Sequence, residues 1–159
     1  MRTSHGRRLF VAALAFGATT SITPVAPIGA SPRSDVHIEV ETLFSNATVP
    51  FTASGGAVDD GVLCDAGTVT TVANLATGWQ SGQTMNFHVD KEFSCPDGAF
   101  VVRLSAHLGR DGVEFRWVVI DGDGAYSGLA GSGSGVGLPL PDGSTDGVFD
   151  VYDGALIAS

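Results

Sequence analysis

Residues 121–137 read "DGDGAYSGLAGSGSGVG", and their interpretation decides the fold. A dinucleotide-binding fingerprint needs Gly-x-Gly-x-x-Gly between a strand and a helix. Here Gly122, Gly124 and Gly128 have the wrong last interval, and no helical periodicity follows. A calcium loop would begin well with Asp121 and Asp123. It then meets Ala125 where a third ligand belongs and Tyr126 where the sharp turn needs Gly, and no closing Glu follows. A flexible linker would be less regular. Gly131, Gly133, Gly135 and Gly137 instead recur with a period of two, leaving Ala130, Ser132, Ser134 and Val136 on the other side. That is a strand with one face stripped of side chains. Glycine costs conformational entropy in a strand, so the bare face implies that bulky neighbours need the space. In a small closed barrel the rings within reach are Phe115, Trp117, Phe149 and Tyr152.

Working outward, no segment beyond residue 30 carries a convincing helical period. Short β-rich runs recur instead, separated by Gly, Asp, Asn and Pro: "DVHIEVETLF", "VPFTASGGAV", "LCDAGTVTTVA", "TMNFHVDKEF", "AFVVRLSAHL", "EFRWVVI", "SGLAGSGSGVG" and "DGVFDVYDGALI". Such spacing predicts an antiparallel meander that closes as a barrel or stacks as a sandwich. One hairpin tests this. A turn at "CPDG" (95–98) sets Phe93 opposite Phe100, Val89 opposite Leu104 and Phe87 opposite Ala106 on one face. The other face pairs Asp90 with Arg103, His88 with Ser105 and Asn86 with His107. One face is apolar except for Lys91, and a slip of one residue would scramble both. In the preceding hairpin, a loop centred near Trp79 and Gln80 brings Cys64 opposite Cys95.

The first thirty residues have the three-part layout of an export signal: Arg2, Arg7 and Arg8, an apolar run from Leu9 to Ala18, and small residues up to Ala30. The apolar run is too short to span a bilayer. Arg7-Arg8 also admits the twin-arginine route. Residues 31–159 are then a single domain, with five basic against seventeen acidic residues and a formal charge of −12. Such a surface repels phosphate backbones and anionic membranes, so neither nucleic acid nor membrane insertion is expected. Export makes a Cys64–Cys95 disulfide the expected state. The product is expected to be secreted. Asn46-Ala47-Thr48 fits a glycosylation pattern that is common by chance.

"WVVIDGDGAYSGLAGSGSGVG" resembles the glycine-rich signature shared by the allene oxide cyclase barrel and the dirigent proteins. "GTVTTV", "FHVDKEFSCPDGAFVVRL" and "DGVFDVYDG" are similar to the matching strands of secreted bacterial members of that group. The resemblance spans about residues 60–157. It implies an all-β, calycin-like fold, an eight-stranded antiparallel up-and-down barrel with an apolar lumen, and a homotrimer as in plant relatives. The polar mouth residues of the plant cyclase find no matching positions here, so no catalytic residue transfers.

His88, Asp90, Glu92, Arg103, Ser105 and His107 gather on the polar face of the fourth and fifth runs. A His near a carboxylate and an Arg suits acid–base work, but the outer wall of a barrel carries such pairs for solubility and register. The wall reading is preferred. Ser105, His107 and Asp90 resemble a hydrolytic triad only in composition, since no strained nucleophile turn is present. No metal site and no cofactor is expected. Trp79, on the longest loop, belongs at the barrel mouth, as a gate or as a plug. The leading expectation is a binding module for a small apolar ligand or a partner at that mouth, contacted by Trp79, Phe87, Trp117 and Tyr126. A cyclase or isomerase acting in the lumen is the second, and it requires a polar pair pointing inward. A structural surface or assembly protein is the third.

Overall fold

A computed structural model of the chain describes residues 32–77, 85–109 and 112–158. Eight strands form: β1 (Arg33–Leu43), β2 (Val49–Ser54), β3 (Ala66–Thr77), β4 (Met85–Cys95), β5 (Gly98–Gly109), β6 (Gly112–Gly122), β7 (Ala130–Leu138) and β8 (Gly147–Ile157). Each pairs antiparallel with the next, and β1 pairs with β8 from Arg33↔Ile157 to Leu43↔Gly147. The sheet is therefore a closed eight-stranded antiparallel barrel, and no edge strand is left to recruit another chain.

Period-two patterning explains the strands. In β1, Val36, Ile38 and Val40 are buried while Asp35, Glu39 and Glu41 face water. The β4–β5 register is the one the hairpin predicts, with Phe93↔Phe100, Val89↔Leu104 and Asp90↔Arg103 opposed. Phe93, Phe100 and Leu104 are buried, and Arg103 donates to both Asp90 carboxylate oxygens at 2.8 Å on the outside.

The neighbouring hairpin needs correction. Cys64 and Cys95 are bridged, but Cys64 precedes β3 rather than lying in it, and β3 is set three positions along, with Val69 opposite Phe93. The register also shifts between Thr71 and Ala73. The second run also stops early. Gly55, at φ +100°, turns the chain out of β2 into a one-turn helix, α1 (Gly56–Asp59), where "GGAV" was expected to continue a strand. Ala57 and Leu63 bury themselves over that end of the barrel, and Ser34 donates to Asp60 at 2.7 Å. The disulfide closes a 31-residue separation across the same end. Closing such a loop stabilises the fold by about 3 to 4 kcal/mol on the chain-entropy account.

The stripped strand is β7, and its glycines do make room for rings. A Cβ on Gly133 would lie 2.7 Å from Trp117 Cε2, and one on Gly135 would overlap the Phe115 ring. On β8, Gly154 spares the adjacent Cζ2 of the same Trp117 ring. Phe149, also expected to claim this space, is not among the nearest neighbours. It sits opposite Glu41 and Leu138, where alternation with buried Asp150 turns it outward.

Candidate functional site

Among the described residues, aromatic rings fill the middle of the lumen. Phe93 stacks on Phe100 at 5.1 Å between ring centres and meets Phe51 and Tyr152 edge-on at 5.2 and 5.8 Å. Tyr152 also packs on Phe115 at 4.8 Å and on Trp117 at 6.5 Å. Aromatic pairs at these separations form a continuous core rather than a ligand cavity.

The three predicted ligand contacts among the described residues do not converge. Trp117 is buried in this core, its Nε1–H donating to the Ser134 carbonyl at 3.2 Å. Tyr126 is buried at the end carrying α1 and the disulfide, 5.4 Å from the Phe100 ring centre. Burial raises its phenol above the ordinary range, partly offset by a hydrogen bond with the Cys64 backbone. Phe87 is half-buried towards the opposite end. Trp79 lies outside the described residues.

Most ionisable groups face outward as expected. His88 and His107 are exposed, within 3.4 Å of Ser105 Oγ and 3.1 Å of Asn86 Oδ1 respectively. The Arg103 guanidinium holds the Asp90 carboxyl below its usual range. One inward pair departs from that pattern. Lys91 and Asp150 are 3% and 5% exposed. Lys91 Nζ donates to Asp150 Oδ2 at 2.7 Å and to Thr42 Oγ1 at 2.6 Å, and Thr42 donates to the same carboxylate oxygen at 2.7 Å. Tyr152 completes the cluster, with Nζ 5.8 Å from its ring centre. Burial, reinforced by the Asp150 charge, drives the Tyr152 phenol far above its ordinary range, and its hydroxyl has no hydrogen-bond partner among the described residues. The apolar face of β4 flagged Lys91 as an exception, but nothing in the sequence pointed to Asp150. The void beside Lys91, bordered by Thr42, Val69 and Thr71, measures about 10 Å³. It is the size of one water.

A large concavity lies on the outside. Because the inner face of β7 is hydrogen, its backbone lies directly on Trp117 and Phe115, and its outer face offers only small groups. A trough of about 990 Å³ results, with Ser132, Ser134 and Val136 as floor. Ser105, His107, Glu114 and Arg116 form one bank, and Asp153 and Arg33 the other. Register aligns Ser105, Arg116, Ser134 and Asp153 in a single row across four strands. Asp153 also meets His37 Nδ1 at 2.7 Å, and that hydrogen bond raises the imidazole pKa against a smaller opposing effect of burial. Compared with protein-family models, with curated proteins and with solved structures, the chain matches none.

Proposed function

We propose that this chain is a binding module that works through its outer wall, at the trough over β7. The observation that carries this reading is the size of the outer trough, about 990 Å³, against about 370 Å³ at the barrel end beside Tyr126 and about 10 Å³ beside Lys91. Ligand sites are concave and largely pre-formed. A small apolar ligand in the lumen would have to displace rings packed at 4.8 to 5.8 Å. The disulfide suits a secreted or otherwise oxidising setting, and an exported, secreted protein remains our reading of residues 1–30. The eight-stranded barrel and the "GAYSGL" run also support kinship with the allene oxide cyclase and dirigent barrels, without their activity. Self-assembly, as a homotrimer for example, would use the same kind of wall surface.

Hydroxyl-radical footprinting tests this, comparing the purified chain with the chain in the medium of the cells that produce it. Protection of Val136, Arg116 and His107 is the expected result. Protection confined to the inward-facing Leu108 and Phe87 would return the site to the mouth.

A second reading is supported by Lys91 and Asp150, since a lumen enzyme requires an inward polar pair. Lys91 would be its proton donor and Asp150 the group that positions it. Against it stands a pair already joined to each other and to Thr42. The wall reading expects a K91M/D150L variant to keep the trough footprint unchanged.

A further inference from the structure

The described cations of this acidic chain are few, and their partners can be traced one by one. Lys91 is taken by Asp150 and Arg103 by Asp90. His37 lies against Asp153. Arg33 and Arg116 have no acidic partner among the described residues, although the chain carries seventeen Asp and Glu. Both border the same trough. Two guanidiniums free of an ion-pair partner among the described residues, on opposite banks of one concavity, offer a site for oxyanions, because the planar fork of Arg matches a carboxylate or sulfate.

The rest of the trough narrows the ligand. Ser132 and Ser134 present hydroxyls from the floor, Ser105 and His107 add donors and acceptors, and Glu114 and Asp153 accept. The row from Ser105 through Arg116 and Ser134 to Asp153 is about 14 Å long at the usual strand spacing. A surface of this kind suits a ligand rich in hydroxyls. It suits a peptide poorly, because β7 is hydrogen-bonded on both sides and offers no edge for strand addition. A long polyanion is disfavoured by the acidic surface around the trough. A short, sparsely charged ligand is not.

We infer that the trough over β7 binds a short acidic saccharide, its carboxylate or sulfate held by Arg116, its hydroxyls by Ser132 and Ser134, and its far end by Arg33, four residues along β1 from the row that holds Arg116. This rests on the wall reading and gives it a ligand class.

The test is an amide chemical-shift titration of the whole chain with uronate and sulfated disaccharides, their neutral counterparts, inorganic sulfate and an acidic peptide. Saturable shifts at Arg116, Ser132 and Ser134 with an acidic disaccharide are expected. R116Q and R33Q should each weaken that binding about tenfold, the scale of one lost charge-assisted hydrogen bond. R103Q removes the same charge outside the trough and should leave it unchanged. Equal weakening by R103Q would reduce the effect to net charge and overturn the proposal. So would equal binding of the neutral sugars or of sulfate alone, or no shift with any acidic disaccharide. Trough shifts with the peptide alone would overturn the saccharide and keep the wall. Shifts confined to Phe87 and Leu108 would overturn both.

Discussion

Lys91 and Asp150 are held inside an apolar barrel by each other and by Thr42, so neither tolerates loss of its partner. Truncating one member of a buried pair strands the other charge and costs about 3 to 5 kcal/mol, whereas replacing both with apolar groups of similar volume is often neutral. D150A is therefore expected to lower the urea-denaturation free energy by that amount, while K91M/D150L stays near the wild type. A second expectation concerns pH. The His37 pKa is raised, chiefly by Asp153 and secondarily by Glu39, so its contribution to stability is complete below the unfolded value near 6.5. It is lost as pH rises through the folded value. Urea midpoints measured across that interval should fall with pH, and the fall should shrink in D153N, where only Glu39 still raises the pKa. The sequence revealed Lys91 as a misfit on an oily face but not its partner. β4 and β8 are not neighbours, and a contact across the lumen depends on barrel closure rather than on any local register.

Among the elements, β7 is the one whose sequence spelled out its packing. Period-two glycines meant a bare inner face, and Trp117 and Phe115 do press against it. G135V should therefore force the Phe115 ring aside. Overpacking costs typically about 1 to 3 kcal/mol, and here the backbone on the far side is close as well. S134V, one position away on the outer face, should leave the thermal midpoint almost unchanged, and thermal denaturation of the two variants measures the difference. The β4–β5 pairing was equally legible, because a tight turn at residues 96–97 leaves one register that buries Phe93 and Phe100 together. β3–β4 was not, because a longer connection and a register shift after Thr71 add positions that carry no turn signature. α1 escaped for a different reason. A four-residue helix is too short to show a 3.6-residue period.

For the whole molecule, eight strands close a barrel just wide enough for side chains to fill, and aromatic residues occupy it. The expected mouth contacts scatter as a result, with Tyr126 at one end, Trp117 in the middle and Phe87 towards the other. Trough and filled lumen share one cause: the glycines that let β7 settle onto the rings also hollow the wall behind them. The period-two glycines made the inner half of that arrangement readable. The hollow was not, because an outer face of serines looks like any solvated strand until its neighbours' long side chains are in view. Diffraction from crystals of the protein under xenon pressure tests the filled lumen most directly, since xenon orders in dry apolar cavities. The account predicts no xenon among Phe93, Phe115, Trp117 and Tyr152, and an ordered xenon atom there would contradict it.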